Sequence, residues 1–330
     1  MKTALFSSKS YDEAYFNRLN KTHQFTFFET QLNSLTAYLA NGFEAVCAFV
    51  NDKLDALTLH VLHQNGVKVI VLRCAGFNNV DLEAAQKQGI KILRVPAYSP
   101  NAVAEHAVSL ILTLNRKTHK AYNRVREGNF SLERLIGFNL QGKTVGVIGT
   151  GKIGAVFCRI MLGFECKVVG YDIHESEELK QKGVIYKPLD ELLAVADIIS
   201  LHCPLLPSTK HLIGREAIAK MKTGVMLINT SRGALIDTKA AIDGLKKGEI
   251  GYLGVDVYEQ EENLFFKDLS ESVIQDDIIM RLLSFPNVLI SAHQAFFTTE
   301  ALEEITLSTL QNLTDFEQNQ VLKNEVSLMI

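Results

Sequence analysis

Two kinds of apolar spacing alternate along the chain. Short apolar runs at residues 3–6, 25–28, 45–50, 67–72 and 90–95 have the length and composition of buried strands. Between them, at 12–19, 32–39, 53–64 and 80–88, apolar residues recur every three or four positions, which predicts amphipathic helices. Gly66 and Gly89 stand where helix C-termini favour a left-handed residue. The alternation resumes at residue 144. Strands are predicted at 144–148, 167–171, 197–202, 225–229, 252–257 and 288–291, and helices at 189–195, 215–221 and 238–247. Strand–helix alternation of this kind builds βα units, so the fold class is α/β with parallel sheets.

The segment Pro96-Ala97-Tyr98-Ser99-Pro100 interrupts the pattern. A long apolar helix is predicted after it, from 102 to about 120, with Asn101 as N-cap. The first passage between domains is placed here. A last helix, 298–319, follows the final strand of the second half and is read as returning to the first. This predicts a discontinuous domain, 1–99 with 297–330, and a continuous one, 100–296, with a cleft between them. The apolar face of 102–114 suggests a subunit interface.

The second half opens on a stretch with a recognisable use. A buried strand, 144–148, runs into Gly149-Thr150-Gly151-Lys152-Ile153-Gly154. A helical stripe of Ile153, Val156, Phe157, Ile160 and Met161 follows, then a strand ending on Asp172. In a dinucleotide-binding loop the first glycine permits the turn, the second lets the backbone approach the pyrophosphate, and the third lets helix pack on strand. The helix N-terminus supplies free N–H groups for the phosphates. Asp172 lies close to the ~20-residue distance at which an acid meets the ribose hydroxyls of NAD. Residues 1–96 carry no such loop, so the nucleotide belongs to the second domain.

Composition narrows the picture. The chain has 330 residues, 47% hydrophobic and 22% charged, with a formal net charge of −3. That is a globular chain with a substantial core, and nothing marks nucleic acid or an anionic membrane as a partner. No apolar run approaches the roughly 18 residues of a membrane span, and the N-terminus reads as lacking a signal peptide. Cys47, Cys74, Cys158, Cys166 and Cys203 are scattered, with no metal-ligand spacing. Reduced thiols in a cytoplasmic, metal-free protein are expected.

Four clusters fall at the carboxyl ends of predicted strands, where ligands bind in open α/β sheets. They are Arg73-Cys74-Ala75-Gly76, Asn229-Thr230-Ser231-Arg232-Gly233, the run from Asp256 to Glu261, and Ser291-Ala292-His293-Gln294. Arg232 can meet a carboxylate in bidentate fashion. With Glu261 and His293, it forms the minimum set for hydride transfer on a carboxylate-bearing carbonyl.

On these clusters, on 95–106 and on His202-Cys203-Pro204-Leu205, the chain resembles the D-isomer-specific 2-hydroxyacid dehydrogenases over its whole length. The resemblance implies two doubly wound parallel-sheet domains, a Rossmann-type NAD domain and a smaller flavodoxin-like substrate domain. It implies that Arg232 binds the substrate carboxylate, that His293 is the proton donor in reduction, and that Glu261 pairs with it. Ala75 and Gly76 would offer backbone N–H groups to the substrate, with Tyr98 and Phe296 lining its pocket. Gly149, Gly151, Lys152, Ile153, Gly154, Asp172, Cys203, Pro204, Thr209, Thr230, Ser231 and Asp256 would contact the cofactor. The family often has a glycine before the histidine; Ala292 stands here, and the change is expected to be tolerated. The insert 264–283, with Phe265-Phe266 and Asp276-Asp277, points to the lactate branch rather than the phosphoglycerate or formate branches. The implied activity is NAD-dependent reduction of pyruvate to D-lactate in a homodimer or homotetramer. Reduction of a bulkier 2-keto acid, or a non-catalytic NAD-sensing role, stays open at this point.

Overall fold

The apolar runs form parallel strands in two separate sheets. The structure is a computed structural model that describes residues 1–326. The chain divides into two compact units: Met1–Ser99 joined by the segment from Phe297 onward, and Pro100–Phe296.

The first unit contains β1 (Lys2–Leu5), β2 (Gln24–Phe27), β3 (Ala45–Ala48), β4 (Val69–Leu72) and β5 (Lys91–Arg94), in the order β2-β1-β3-β4-β5. This is the flavodoxin-like winding. β3 and β4 are buried at every position, as strands covered on both faces must be. The helix Thr299–Glu317 packs against β4, β5 and the helix Ser10–Leu19. Leu313 joins Leu5, Phe16, Cys47, Val71 and Leu93 in one core cluster. Each such side chain contributes about 1.5–3 kcal/mol by leaving water. Asn312 donates to the Arg94 carbonyl at 3.0 Å, a polar tie between this helix and β5.

The second unit contains β6 (Thr144–Ile148), β7 (Lys167–Tyr171), β8 (Ile185–Tyr186), β9 (Ile198–Leu201), β10 (Val225–Asn229), β11 (Ile250–Val255) and β12 (Val288–Ile290). Their order is β12-β11-β10-β9-β6-β7-β8. Counted from β6, this is the Rossmann order with a seventh strand at one edge, and it reverses direction between β6 and β9.

Several local expectations fail for identifiable reasons. Residues 32–39 form turns and a short 3-10 helix, Ala37–Ala40, rather than an α-helix. The Thr36 hydroxyl donates to the Gln31 carbonyl at 2.7 Å, and the Asn33 side chain accepts from the Leu35 amide at 2.9 Å. Such side-chain bonds give the backbone an alternative to the helix, and Leu35 is left 81% exposed. The long helix predicted at 102–120 is two helices, Pro100–Arg116 and Thr118–Arg126, separated by Lys117 at φ 51°. Its first residue is Pro100, where the missing N–H costs nothing, so Asn101 lies inside the first turn and is not the cap. The apolar face of this helix is spent inside its own unit. Ala104, Val108, Leu110 and Leu114 pack with Val145, Val147, Phe157 and Ile228. The reason given for an interface there is therefore removed. The helix Asp277–Leu283, unpredicted, is capped by Asp276, which accepts from the Ile278 and Ile279 amides at 2.9 and 3.0 Å. The two-residue β8 at the sheet edge is also unpredicted.

Candidate active site

The dinucleotide loop sits at the reversal point of the second sheet. Gly149 has φ +91°, and a Cβ there would lie 2.5 Å from the Cys203 amide, so the loops after β6 and β9 touch at this position. A Cβ on Gly154 would lie 2.0 Å from the Gly149 carbonyl, so only glycine lets the helix Lys152–Gly163 begin so close to the strand. A Cβ on Gly151 would meet nothing within 4 Å. That is the open side on which a pyrophosphate can approach the backbone. Lys152 is exposed at the helix start, while Ile153 packs into the core.

Asp172 follows β7 and is half-buried. Its Oδ2 accepts from the Thr150 amide at 2.6 Å and its Oδ1 from the His174 amide at 3.1 Å. Oδ2 also accepts from the Thr150 hydroxyl at 3.3 Å, while Oδ1 keeps a second lone pair for a ribose hydroxyl. The Tyr186 hydroxyl donates to Thr150 Oγ1 at 2.8 Å, so β8 also braces the loop. An acid here repels a 2′-phosphate, and neither Ile173 nor His174 supplies an arginine to receive one. NADH is therefore expected to be strongly preferred over NADPH. In Asp172→Ala the ratio of NADPH to NADH catalytic efficiency should rise about tenfold or more, the worth of one hydrogen bond to a charged group. An unchanged ratio would remove Asp172 from cofactor selection.

The loops after β9 and β10 are joined by Ser231, whose hydroxyl donates to the Cys203 carbonyl at 2.6 Å. Cys203 is buried, and burial pushes its thiol up to about 11. Pro204 is exposed. Thr209 closes the turn after it, with its hydroxyl donating to the Pro204 carbonyl at 2.7 Å and accepting from the Leu206 amide at 2.8 Å. Thr230 is buried, and its hydroxyl has no partner among the described residues. A buried hydroxyl without a protein partner at the carboxyl end of β10 fits a polar ligand such as a dinucleotide.

His202, which the sequence reading passed over as chemistry, lies beneath the same loop. It is half-buried, yet its ring nitrogen Nδ1 is fully enclosed and unpartnered among the described residues. Nε2 pairs with Ser200 Oγ at 2.9 Å, and the ring lies 4.9 Å from that of Phe157. Burial lowers its pKa to about 3. An unfolded histidine titrates near 6.5. Between those values the unfolded chain binds a proton that the folded chain refuses, so stability is lost as pH falls from about 6.5 toward 3. The upper bound is roughly 5 kcal/mol. Thermal midpoints measured from pH 7 to 4 should fall less steeply for His202→Asn than for the wild type. Parallel slopes would refute this account.

Three adjacent strands carry the catalytic candidates. Arg232 follows β10, Glu261 follows β11 and His293 follows β12. Asn229 shapes the first loop, donating to the Arg232 carbonyl at 2.8 Å and accepting from the Ser231 amide at 3.0 Å. Arg232 Nη1 donates to the Ser231 carbonyl at 2.7 Å, which leaves most of the guanidinium fork uncommitted by that bond. A Cβ on Gly233 would fall 2.1 Å from the Tyr258 carbonyl carbon, so this glycine lets the Arg232 loop abut the turn that leads to Glu261. His293 Nδ1–H donates to Glu261 Oε1 at 2.8 Å, and the Tyr258 amide donates to Glu261 Oε2 at 2.9 Å. Both carboxylate oxygens therefore have a fixed donor, and the histidine presents Nε2 as its other nitrogen.

Asp256 is fully buried. Its Oδ1 accepts from Ser291 Oγ at 2.7 Å and from the Gln294 amide at 2.9 Å, and its Oδ2 from the Ala295 amide at 2.8 Å. Ser291 Oγ accepts in turn from His106 Nε2–H at 2.8 Å. These bonds hold the 291–295 turn. Its left-handed residue is His293 itself, at φ 53°, and Ala292 has no positive φ, so alanine fits where the family often has glycine. Phe296 is buried at the end of this turn.

Ala75, Gly76 and Tyr98 belong to the first unit. Arg94 donates to the Ala75 carbonyl at 2.8 Å and the Cys74 thiol to the Gly76 carbonyl at 3.2 Å. Tyr98 is half-buried. Arg73, beside them in sequence, is a pillar of the fold. It is 2% exposed, donates to the Phe6 and Ser7 carbonyls at 3.1 and 2.7 Å, and pairs with Asp12 at 3.4 Å. Among the described residues no group of three or more His, Cys, Asp or Glu could hold a metal ion. No helix there is long and apolar enough to cross a membrane.

The chain is similar to known proteins over nearly its whole length. A family model described as D-isomer specific 2-hydroxyacid dehydrogenase, NAD binding domain, matches residues 108–295. The chain is 52% identical over 328 residues to D-lactate dehydrogenase of Escherichia coli (strain K12), covering 99% of this chain and 100% of the relative. It is similar to the apo-structure of D-lactate dehydrogenase from Escherichia coli, with a TM-score of 0.91 at 49% identity over 99% of this chain and 100% of that one. D-lactate dehydrogenase from Aquifex aeolicus complexed with NAD and lactic acid is similar at 35% identity, TM-score 0.85, over 98% of each chain.

Proposed function

The chain belongs to the D-isomer specific 2-hydroxyacid dehydrogenases, NAD-dependent oxidoreductases, and we propose that within this family it reduces pyruvate reversibly to D-lactate. The observation that carries the reading is the Glu261–His293 pair at 2.8 Å, with Arg232 on the next strand but one of an NAD-binding fold. Bound NADH supplies the hydride for the keto carbon. Arg232 holds the substrate carboxylate through its planar fork, which also polarises the keto group. His293 gives the proton from Nε2 to the keto oxygen in reduction and takes it back in oxidation. Glu261 fixes the ring so that Nε2, not Nδ1, faces the substrate. The family resemblance gives Ala75, Gly76 and Tyr98 of the first unit, and Phe296 of the second, to the substrate. Lys152, Ile153, Cys203, Pro204, Thr209, Thr230, Ser231 and Asp256 border the cofactor together with the glycine loop. The first unit is then the substrate domain.

The test is NADH oxidation with pyruvate, phenylpyruvate and 2-ketoisocaproate, with the chirality of each product assigned. Highest efficiency on pyruvate with D-lactate as product is expected. Preference for a larger acid would move the chain to another branch of the family, and absence of turnover would favour an NAD-sensing role. A cytoplasmic location belongs to the same reading, supported by five cysteines that are all buried and free. So does a homodimer or homotetramer. It is supported by Phe130, Leu132 and Ile136, which are 75%, 83% and 85% exposed within one short segment of the NAD-binding unit. Sedimentation equilibrium would give the mass.

A further inference from the structure

The segment 264–283 distinguishes this chain in sequence, yet none of the roles above uses it. It is not a loose surface insert. Phe265, Ile279 and Leu282 are buried and belong to the same core cluster as Leu227, Leu253 and Val255 of the central strands. From that anchored base the segment reaches the Glu261–His293 pair at two points.

The first is Phe266. Its backbone is left-handed, at φ 64°, a conformation that a bulky side chain adopts only where its surroundings require it. One consequence of the turn is that Phe265 enters the core while the Phe266 ring stands against His293. The two ring centroids are 5.9 Å apart with planes inclined by 37°, inside the range of attractive aromatic contacts. The second point is Asp276. Its Oδ1 caps the helix Asp277–Leu283, and its Oδ2 accepts from the Tyr258 hydroxyl at 2.8 Å. Tyr258 is the residue whose amide donates to Glu261 Oε2. Burial and this acceptor push the phenol's pKa upward, so the hydroxyl stays a donor. The chain of contacts is therefore closed: helix, Asp276, Tyr258, Glu261, His293, Phe266, and back into the segment.

We propose that the segment 264–283 is a clasp that fixes the His293 ring for proton transfer, with Phe266 pressing on the imidazole and Asp276 holding the Glu261 turn through Tyr258. Glu261 holds the ring by one edge, and a single hydrogen bond still bends and stretches easily. Contact with the Phe266 ring limits that play. Phe266, Tyr258 and Asp276 are positioning residues, since each acts through Glu261 or His293. The proposal rests on His293 being the proton donor. Its effect belongs to turnover and not to cofactor binding, because misplacing a reacting group by about an ångström can cost as much as a hundredfold.

Three variants of the full chain test it. Phe266→Leu removes the ring and keeps an apolar side chain, and Phe266→Tyr restores the ring. Tyr258→Phe removes only the hydroxyl. In Phe266→Leu and Tyr258→Phe, kcat for pyruvate reduction should fall about fivefold or more, the worth of one such contact. The solvent deuterium isotope effect on kcat should rise, and the Kd of NADH should stay at the wild-type value. Phe266→Tyr should recover kcat. Independently of turnover, the His293 ring N–H resonance, identified by its loss in His293→Gln, should exchange with water faster in Phe266→Leu. A wild-type kcat, isotope effect and N–H exchange rate in both Phe266→Leu and Tyr258→Phe would overturn the clasp. A loss of kcat in which the Kd of NADH worsens in parallel, with no change in isotope effect or exchange, would also overturn it, as general loosening of the unit. If His293→Gln itself retains turnover, the assignment of His293 fails instead, and the exchange measurement still reports whether the clasp exists.

Discussion

Replacing His293 with alanine is expected to lower kcat for pyruvate reduction by about two to four orders of magnitude, the usual contribution of a general acid. The Kd of NADH should change little, because the histidine follows β12 while the dinucleotide loop follows β6, four strands away in the sheet. Glu261→Gln should cost roughly tenfold or more in kcat, for a reason that follows from the donors around it. The carboxylate accepts from two of them, the His293 ring N–H and the Tyr258 amide, one on each oxygen. Glutamine has a single acceptor oxygen and an NH2 group. With the ring protonated, as proton donation from Nε2 requires, both ring nitrogens are donors, and whichever way the amide is turned one of the two donors faces another donor. Either the ring loses its orientation or the turn carrying residue 261 shifts. Stopped-flow measurement of NADH consumption, with NADH affinity measured by fluorescence, separates turnover from binding. A Glu261→Gln enzyme with kcat within twofold of wild type would show that the pair at 2.8 Å has no part in proton transfer.

The second large effect is expected at Arg232. Lysine keeps the charge but replaces a planar fork with a compact point charge. The bond from Nη1 to the Ser231 carbonyl also disappears, and with it the anchor that aims the head group. Arg232→Lys should raise the KM for pyruvate and lower kcat. The combined loss in kcat/KM should be at least about tenfold, since a hydrogen bond to a charged group is worth roughly 1.5–3 kcal/mol. NADH affinity should be retained, because the contacts that shape the cofactor loop run through Asn229, Ser231 and Cys203 rather than through the guanidinium. Wild-type pyruvate kinetics in this variant would return Arg232 to a purely structural place. A parallel loss of NADH binding would point instead to collapse of the 229–233 loop.

Much of this protein is legible in its sequence. The parallel strands announce themselves as apolar runs because both faces of a parallel sheet are covered, so every position must be apolar. The dinucleotide loop is legible because its requirements are local: three glycines, a strand before, a helix after and an acid at the next strand's end. The structure shows that a Cβ would clash at Gly149 against the neighbouring loop and at Gly154 within that short stretch, while the side of Gly151 stays open. The places where sequence reading failed are also physical. Residues 32–39 have helical spacing, but Asn33 and Thr36 offer the backbone closer partners. The helix 102–114 is apolar because it packs on Phe157 and the sheet, and spacing alone cannot say whether an apolar face meets its own chain or another.

What only the tertiary structure decides is how residues far apart in the chain divide the work. Arg73 and Arg232 follow buried strands in the same way and look alike in sequence. One is a buried pillar bound to two carbonyls and Asp12, and the other keeps most of its fork uncommitted by its bond to Ser231. Asp256 and Glu261 stand five positions apart in one acidic stretch. The first is closed around the 291–295 turn, and the second meets His293 across a separation of 32 residues. Phe266 and Asp276 carry no motif at all, and their contacts to His293 and Tyr258 arise only because core anchors fold their segment back onto the ends of β11 and β12. Local chemistry determines which elements form and where a phosphate can approach. The partner of each polar group is set by loop geometry and burial, which sequence spacing does not encode.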